Sequence, residues 1–392
     1  MRTSHLISLT APAAAGAVDP NAATPGGGAA IRRVIAVLAV SALALLGLSA
    51  VASPAQGSIA PGTNGKIVFG QIEPNYGVTI NPDGSDEHQV GPLGSTTCNT
   101  WSPDASKVLC NVWSEDGVQP ATANPDGSDF TLLNPDLPLD LFCLSWSPEG
   151  GRLLCHSEGS ANPADAGLYT VRSSDAGDLV RVTATPPDSF DNGYAYSPDG
   201  SRILFARFDS DDNGTLVSVQ ADGSDALQLS PAGLSVIDLG FFDRAGADWS
   251  PNGSRVAFAA RKLSSGRFTT ALFTVKADAS GLRQITAPGL GALSAQWSPN
   301  GHLIAFTSCC RHPEAWVVRP DGTRLREVST PSDRAISLAP VWSPDSTKLL
   351  FNRVSRDDQT SLWTANTDGS GLSKLVDTVS LALYAWGTAP AG

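Results

Sequence analysis

Short apolar stretches alternate with polar, turn-forming segments along most of this 392-residue chain. Six of these stretches follow an aromatic residue and a Ser-Pro turn, and together they form near-copies of one ten-residue segment. In chain order the copies read WSPDASKVLC from Trp101, WSPEGGRLLC from Trp146, YSPDGSRILF from Tyr196, WSPNGSRVAF from Trp249, WSPNGHLIAF from Trp297 and WSPDSTKLLF from Trp342. The copies are separated by 45, 50, 53, 48 and 45 residues. A period of this size with several short strands per unit predicts a β-propeller.

Each unit continues with the same order of elements. A second apolar stretch follows, such as ALFTV from Ala271, then an Asp-Gly turn such as ADGSD from Ala221, then a short strand such as LRQIT from Leu282. In the Ser-Pro-Asp-Gly segment, Pro takes a position with φ near −65° and Gly takes a left-handed position. The aromatic residue is large enough to pack between neighbouring units. The repeat therefore predicts four-stranded antiparallel blades, and we interpret it as a structural motif that does not itself bind a ligand.

The two ends of the repeat region are complementary. The first unit begins with NGKIVF at Asn64 and lacks the aromatic strand, whereas the chain finishes with an isolated opening strand, LYAWGTAP, from Leu383. We therefore expect the C-terminal strand to complete the first blade and to close the ring, which removes both free sheet edges. This gives a propeller of seven blades over residues 64–388, followed by a tail at 389–392. Six or eight blades are the alternatives if the short first unit is misread.

The N-terminal region carries a targeting signal. Residues 1–30 are rich in Ala, Gly and Pro without periodicity, which predicts a disordered extension. Residues 31–52 contain two arginines, an uncharged apolar stretch and the sequence Ala-Val-Ala, which is the order of a secretory signal peptide. The alternative is an uncleaved membrane anchor at 34–52, which is nearly long enough to span a bilayer. Residues 53–63 form a linker, and we expect the protein to be extracytoplasmic, either secreted or associated with the cell envelope.

The charge of the chain limits its partners. The formal net charge is −12, and no basic run interrupts it. Such a chain repels phosphate backbones, which argues against nucleic acid as a partner. We expect a monomer that contacts the membrane only through the N-terminal segment, if that segment stays uncleaved.

Two cysteine pairs recur at the same offsets from the aromatic residue of the repeat. Cys98 and Cys110 flank the first copy, and Cys143 and Cys155 flank the second. If the motif is a hairpin centred on its turn, each pair faces across two strands. In an oxidising compartment this favours two cross-strand disulfides, and the alternative is two pairs of buried thiols.

The remaining cysteines are adjacent, at Cys309 and Cys310. They are either free thiols or a vicinal disulfide, and His312 nearby raises a third alternative, a metal site. A fourth metal ligand is not identifiable, which weakens that alternative.

One stretch resembles a calcium-binding loop. In FDSDDNGTL, Asp209, Asp211 and Asn213 precede Gly214 with the spacing that opens such loops. The closing Glu is absent, because Gln220 stands at that position. Calcium is therefore a candidate cofactor here, and the alternative is an acidic hairpin loop.

The sequence contains no familiar catalytic motif. Neither a G-x-S-x-G elbow nor an H-E-x-x-H segment is present, and the glycines lie in hairpin turns and not in phosphate-binding loops. Four histidines remain after the signal segment, namely His88, His156, His302 and His312. We interpret His156 and His302 as structural or solvated, and we assign no catalytic residue.

The repeats resemble those of the TolB-type, WD-like β-propeller family of bacterial exported proteins. The resemblance covers residues 64–387 and rests on the six WSPDG-like copies. It implies the fold and leaves the function open, because propellers serve as scaffolds, ligand binders and enzymes. The separate α/β domain that precedes the propeller in TolB has no counterpart in the 53–63 linker, so a TolB role is not implied.

Two functions remain in competition. The first is a non-enzymatic binding or scaffold protein that holds a protein or a cell-envelope glycan on a ring face or at the channel mouth. The second is a lyase or hydrolase that acts on carbohydrate or peptide within the channel. The candidate recognition loops are 191–194, 209–214, 234–247 and 308–314, and the segment FFDRAGAD at 241–248 adds two aromatic residues and an arginine.

Overall fold

The computed structural model describes residues 61–389, except 72–74, 116, 135–138, 160–161, 238–245, 265–266, 310–311, 330–334 and 378. Within these residues the chain forms β-strands and one 3-10 turn, Pro163–Asp165. The prediction of an all-β protein built from four-stranded antiparallel sheets is therefore confirmed. The predicted extension 1–30, the signal or anchor segment 31–52 and most of the 53–63 linker lie outside the described residues.

The strands follow the sequence repeat, and we number the units in chain order. Unit 1 consists of β1 (Asn64–Gln71), β2 (Tyr76–Ile80), β3 (His88–Val90) and the last strand, β29 (Val379–Thr388). Unit 2 consists of β4 (Thr96–Trp101), β5 (Val108–Ser114), β6 (Gly117–Ala123) and β7 (Thr131–Leu132). Unit 3 consists of β8 (Phe142–Trp146), β9 (Arg152–Ser157), β10 (Gly167–Arg172) and β11 (Val180–Arg181).

Units 4 and 5 share one nine-stranded sheet. Unit 4 consists of β12 (Phe190–Tyr196), β13 (Arg202–Phe208), β14 (Gly214–Gln220) and β15 (Leu227–Gln228), and it is followed by the bridging strand β16 (Leu234–Val236). Unit 5 consists of β17 (Ala247–Trp249), β18 (Arg255–Ser264), β19 (Arg267–Lys276) and β20 (Arg283–Gln284). β16 pairs with β14 on one side and with β18 on the other.

The last two units are separate four-stranded sheets. Unit 6 consists of β21 (Gln296–Trp297), β22 (Ile304–Thr307), β23 (Ala315–Val318) and β24 (Arg326–Glu327). Unit 7 consists of β25 (Ile336–Trp342), β26 (Lys348–Val354), β27 (Thr360–Asn366) and β28 (Ser373–Asp377).

The repeated Ser-Pro-Asp-Gly segment is the turn between the first and second strands of a unit. In unit 4, the Ser197 hydroxyl donates to the Asp199 carboxylate and accepts from the Arg202 amide at 2.9 Å. The same carboxylate accepts from the Ser201 amide at 3.1 Å. Gly200 has a φ of 73°, which glycine adopts without steric cost. The Ser, Asp and Gly of the repeat therefore each supply a hydrogen bond or a backbone conformation of this turn.

The aromatic residue of the repeat lies between neighbouring sheets. Trp249, Trp342 and Trp386 are almost completely buried. The Trp342 indole donates to the carbonyl of Gln296 in unit 6 at 3.1 Å, and the Trp342 amide donates to the Gln296 side chain at 3.1 Å. The apolar clusters likewise combine residues of adjacent units, so the core of the protein is distributed between the sheets.

The C-terminal strand pairs with the first strand, as the incomplete end units predicted. Ile67 faces Trp386 and Phe69 faces Tyr384 in the β1–β29 register. The Tyr384 hydroxyl also reaches unit 7, where it donates to the Ala339 carbonyl at 2.6 Å and accepts from the Asn352 amide at 3.0 Å. Seven blades in a closed ring stay a prediction, which this pairing supports.

Both predicted cross-strand disulfides are present. Cys98 faces Cys110 in the β4–β5 register, and the two are bonded. Cys143 and Cys155 are bonded in the equivalent place between β8 and β9. The prediction from the repeated offsets is therefore confirmed.

The sheets present two different faces. The Ser-Pro and Asp-Gly turns lie at one end of the strands, which we call the turn face. There the Asn300 backbone amide donates to the Ser346 hydroxyl and the Asp345 backbone amide donates to the Asn64 side-chain oxygen, so turns of successive units are in contact. The opposite end, where each first strand begins, carries the longer connections, and we call it the loop face.

Candidate functional site

The described parts of the candidate recognition loops lie on the loop face. Segment 191–194 is at the start of β12, segment 209–214 connects β13 to β14, and segment 308–314 connects β22 to β23. Segment 234–247 contains β16 and leads into β17. Residues 238–245 and 310–311 of these segments, including most of the FFDRAGAD stretch, lie outside the described residues. The first two loops adjoin each other, because Phe190 pairs with Phe208 and Phe208 pairs with Gly214.

Phe190 is an exposed aromatic residue at this junction. It is the first residue of β12, and 42% of its surface is exposed. Its ring stacks on the buried ring of Phe208, with the centroids 4.7 Å apart. Within the described part of the chain, the other large hydrophobic side chains that are exposed are all leucines. An exposed ring on a fixed support can pack against a sugar ring or an apolar side chain of a partner.

An ion pair with a buried carboxylate fixes the backbone beside this ring. Asp191 is fully buried, and both of its oxygens accept from the Arg207 guanidinium, at 2.6 and 2.7 Å. The Thr185 hydroxyl donates to the same carboxylate at 3.2 Å. The hydrogen bond to Asp191 raises the pKa of Arg207 above its usual value. The bidentate contact joins β12 to β13, and the Thr185 bond joins β12 to the preceding loop. Together they hold Phe190 in a defined position.

His156 lies near this pair and is uncharged at neutral pH. Only 7% of the residue is exposed, and burial lowers the pKa of its imidazole to about 4. The negative charge of Asp191 opposes that shift without cancelling it. The sequence-based interpretation of His156 as a structural residue agrees with this buried position.

The suspected calcium loop forms a tight turn closed by its own side chains. The Asp209 carboxylate accepts from the amides of Asn213 and Asp211, each at 2.9 Å. The Asn213 amide thereby holds the pKa of Asp209 below its usual value. The Arg261 guanidinium donates to the Asp212 carbonyl at 2.5 Å and to the Asn213 side-chain oxygen at 3.2 Å. A fixed cation therefore already contacts two oxygens of this loop.

No group of three His, Cys, Asp or Glu side chains among the described residues is placed to hold a metal ion. Calcium binding at Asp209, Asp211 and Asn213 stays a prediction. The disulfide at Cys309 contradicts the free-thiol and the metal alternatives for this cysteine, because a disulfide sulfur is not a thiolate ligand. Cys309 is disulfide-bonded, and Cys310, which the vicinal hypothesis requires as its partner, lies outside the described residues.

Arg261 also joins units 4 and 5. Its guanidinium donates to the Ser235 hydroxyl on β16 at 3.2 Å, and that hydroxyl accepts from the Gly214 amide at 3.0 Å. β18 and β19 are ten residues long, and the outer end of β18 provides the edge on which β16 pairs. The result is a continuous, braced surface that runs from Phe190 across the 209–214 loop to Arg261.

A second buried cluster lies on the loop face of units 6 and 7. Glu314 accepts from the Ser329 hydroxyl at 2.6 Å, and burial raises the pKa of its carboxyl to about 7. Arg353, whose charge opposes this shift, is buried with its guanidinium 4.8 Å from the Trp363 ring centroid. The Ser308 hydroxyl accepts from the Glu314 amide at 3.1 Å, which anchors the 308–314 loop. The structure thus keeps Glu314 in a different unit from Asp191 and His156.

Sequence reasoning missed Phe190 and Arg261, the two residues that define the exposed surface. Phe190 stands one position before the proposed 191–194 loop, and its place at the end of a strand was the signal for exposure. Arg261 gave no such signal, because its partners on β16 and in the 209–214 loop are 26 and 49 residues away in the chain.

The chain matches no family model and no curated protein at a significant level. Solved structures do resemble it. The β-propeller domain of the trilobed protease from Pyrococcus furiosus has a TM-score of 0.58 at 12% identity, and the match covers 84% of this chain and 98% of that one. Oligogalacturonate lyase from Vibrio parahaemolyticus has a TM-score of 0.54 at 13% identity, and coverage is 81% and 87%.

TolB from Acinetobacter baumannii is also among the similar structures. Its TM-score is 0.47 at 17% identity, and the match covers 67% of this chain and 63% of the TolB chain. No helix among the described residues has the length and apolar character needed to cross a membrane. At these identities the similarities concern the fold alone. The match to the propeller domain from Pyrococcus furiosus confirms the expectation from the repeats that this chain has a β-propeller fold.

Proposed function

We propose that this protein is an extracytoplasmic, non-enzymatic binding protein that holds a protein or a cell-envelope glycan on its loop face. The observation that carries the proposal is the exposed Phe190 ring on the braced surface of units 4 and 5. Aromatic residues at the centre of a rigid surface often supply much of the binding free energy of an interface. Loops held by a rigid scaffold are the usual place for recognition.

The surroundings of Phe190 support binding by a preorganised surface. The buried Asp191 carboxylate is paired with the partly exposed Arg207, and the 209–214 loop is closed by its own hydrogen bonds and by Arg261. A surface that is ordered before binding loses less conformational entropy when the partner arrives. Two disulfides fit an oxidising compartment outside the cytoplasm, which supports the predicted export.

The test compares capture of ligands by the wild-type protein and by Phe190→Ala. The secreted protein is immobilised and exposed to envelope extracts and to a panel of peptidoglycan fragments and other envelope glycans, with and without calcium. We expect the substitution to weaken binding of the captured ligand at least tenfold, which corresponds to about 1.4 kcal/mol. Because the ring is exposed, the melting temperature should stay close to that of the wild type.

Leu179→Ala is the matched control, because Leu179 is 40% exposed and lies on the turn face of unit 3, away from the loop face. It removes a similar apolar contact and should leave capture unchanged. Equal capture by wild type and Phe190→Ala would contradict the proposed site. If capture requires calcium and Asp209→Asn abolishes this calcium-dependent capture, the calcium loop is established.

The competing function, an enzyme acting on carbohydrate or peptide, has one structural observation in its favour. His156, Asp191 and Arg207 lie together near the start of the first strand of unit 4. Turnover of a model glycan or peptide that His156→Gln abolishes, without loss of the fold, would replace the binding proposal. Because His156 and Asp191 are buried and Asp191 is already bonded to Arg207, we expect no such turnover.

A further inference from the structure

The turn face carries an ion pair that recurs from unit to unit. A basic residue at the start of the second strand reaches an aspartate directly after the Asp-Gly turn. These pairs are Lys66–Asp86 at 2.6 Å, Lys107–Asp129 at 2.8 Å, Arg152–Asp178 at 2.6 Å and Arg202–Asp225 at 2.9 Å. The four aspartates share a left-handed backbone, with φ between 49° and 55°. Units 5 and 7 have glycine in place of the aspartate, at Gly281 and Gly371.

Unit 6 reverses this pattern. Leu303 stands where the other units have Lys or Arg, and Arg324 stands where they have Asp or Gly. Arg324 keeps the left-handed backbone, with a φ of 53°, which is unfavourable for a long side chain. His302 occupies a position that is Ser, Thr or Gly in the other units. A local rule that is broken without a structural gain marks a candidate functional site.

The altered residues border a groove of about 580 Å³ on the turn face. His302, Arg319, Arg324 and Arg326 line it together with Asp321, and Leu303 and Val317 add an apolar patch. Within the described residues no hydrogen bond or ion pair is formed by the three arginine side chains, unlike Arg152 and Arg202 in the recurring pairs. Three arginines and one aspartate thus line one groove, which carries a net positive charge on a chain with a net charge of −12.

The chemistry of this groove selects an anionic ligand. A guanidinium binds a carboxylate through two parallel hydrogen bonds, and three of them can engage more than one acidic group. The volume lies in the range of small-molecule clefts and exceeds the size of a single small anion. The acidic remainder of the surface repels a long polyanion, which restricts the ligand to a short one.

We infer that the groove of unit 6 is a binding site for a small ligand with two or more carboxylates, such as a short uronic-acid oligosaccharide or a polycarboxylate. The site lies on the turn face, opposite the loop face of the proposed function. It can therefore be tested independently of Phe190.

Calorimetric titration with four probes tests the assignment. Tri-galacturonic acid and citrate carry several carboxylates, acetate carries one, and maltotriose is a neutral trisaccharide. We expect at least one of the first two to bind ten times or more tightly than acetate and maltotriose, with an affinity that falls as salt is added. The tighter of the two identifies the source of the carboxylates.

Variants of Arg324 separate binding from folding. Arg324→Asp should weaken the tighter probe at least tenfold, and adding Leu303→Arg to it restores the ion pair of the other units without restoring binding. Arg324→Gly should also weaken binding while raising the melting temperature, since glycine relieves the left-handed strain. Arg356→Gln, which removes one positive charge from an exposed loop on the other face, is the matched control and should bind like the wild type.

Three results would overturn the inference. These are the absence of binding by both carboxylate probes at millimolar concentration, equal binding of acetate, and affinities that Arg324→Asp and the double variant leave unchanged. The last comparison remains informative even if one variant is unstable, because the double variant carries the Arg–Asp pair that units 3 and 4 already use.

Discussion

Asp248 on β17 is fully buried between units 5 and 6, where its carboxyl accepts from the Trp297 amide at 2.8 Å. Burial raises the pKa of this carboxyl to about 8. The folded protein therefore retains a proton that an ordinary aspartate in the unfolded chain releases near pH 4. The stabilising effect of the protonated group is complete below that pH, and it is lost as the pH rises to about 8.

We expect Asp248→Asn to flatten this pH dependence, because the amide keeps an oxygen for the Trp297 amide and cannot ionise. Urea unfolding at pH 4.5, 7 and 9 measures it, and the variant should be more stable than the wild type at pH 9. The exposed residue Asp188 provides the control, since Asp188→Asn should reproduce the wild-type profile. A wild-type slope in Asp248→Asn would show that another group governs the pH response.

At the level of single residues, the sequence predicted the positions of those residues that recur in each copy of the repeat. The turn residues and the cysteine pairs followed from their offsets, since register within a hairpin is a local property. Phe190 and Arg261 did not follow, because the first depends on where a strand ends and the second on contacts between distant loops. The significance of Arg324 required the structure, because the ion pair that other units form at this place joins residues 20 to 26 positions apart in the chain.

Among the elements, the hairpin of β4 and β5 offers the sharpest stability test. The Cys98–Cys110 disulfide closes a loop with a sequence separation of 12 residues. Replacing both cysteines by alanine should lower the free energy of unfolding by about 3 kcal/mol, as expected when a loop of this size loses its cross-link. Guanidinium unfolding with and without reductant provides the measurement.

The control for this prediction is the effect of reductant on the stability of each protein. Dithiothreitol should destabilise the wild type more than the double variant, which retains only Cys143–Cys155 of the two hairpin disulfides. Alkylation of all six cysteines without reductant would contradict the assignment.

Gly77→Ala should be destabilising as well, because a methyl group there would overlap Cys98 Sγ across the boundary between units 1 and 2.

The elements themselves were largely predictable, with one exception. Four-stranded units followed from apolar runs separated by Asp-Gly and Ser-Pro turns, since turn residues have strong local preferences. The bridging strand β16 did not, because its pairing with β14 and β18 depends on the extra length of the unit 5 hairpin. Short strands that form only through a tertiary edge leave little signal in the sequence.

At the scale of the whole molecule, the pairing of β29 with β1 decides whether the units behave as one ring. Ile67 and Phe69 of β1 share an apolar cluster with Tyr384 and Trp386 of β29. Removing β29 would expose this cluster and leave the edge of β1 unpaired, and such an edge can pair with another chain. It would also leave the buried amide of Asn352 without the Tyr384 hydroxyl.

We therefore expect a chain ended at Asp377 to aggregate, and its soluble fraction to melt at a lower temperature in a broader transition than the wild type. A chain ended at Thr388 retains β29 and should match the wild type, which controls for loss of the tail. A synthetic peptide of residues 379–392 added during refolding should restore the sharp transition, because it supplies the missing strand in trans. If the chain ended at Asp377 instead kept the wild-type midpoint and slope in urea, the units would be stable without closure, and the prediction of a ring closed by the C-terminal strand would be wrong.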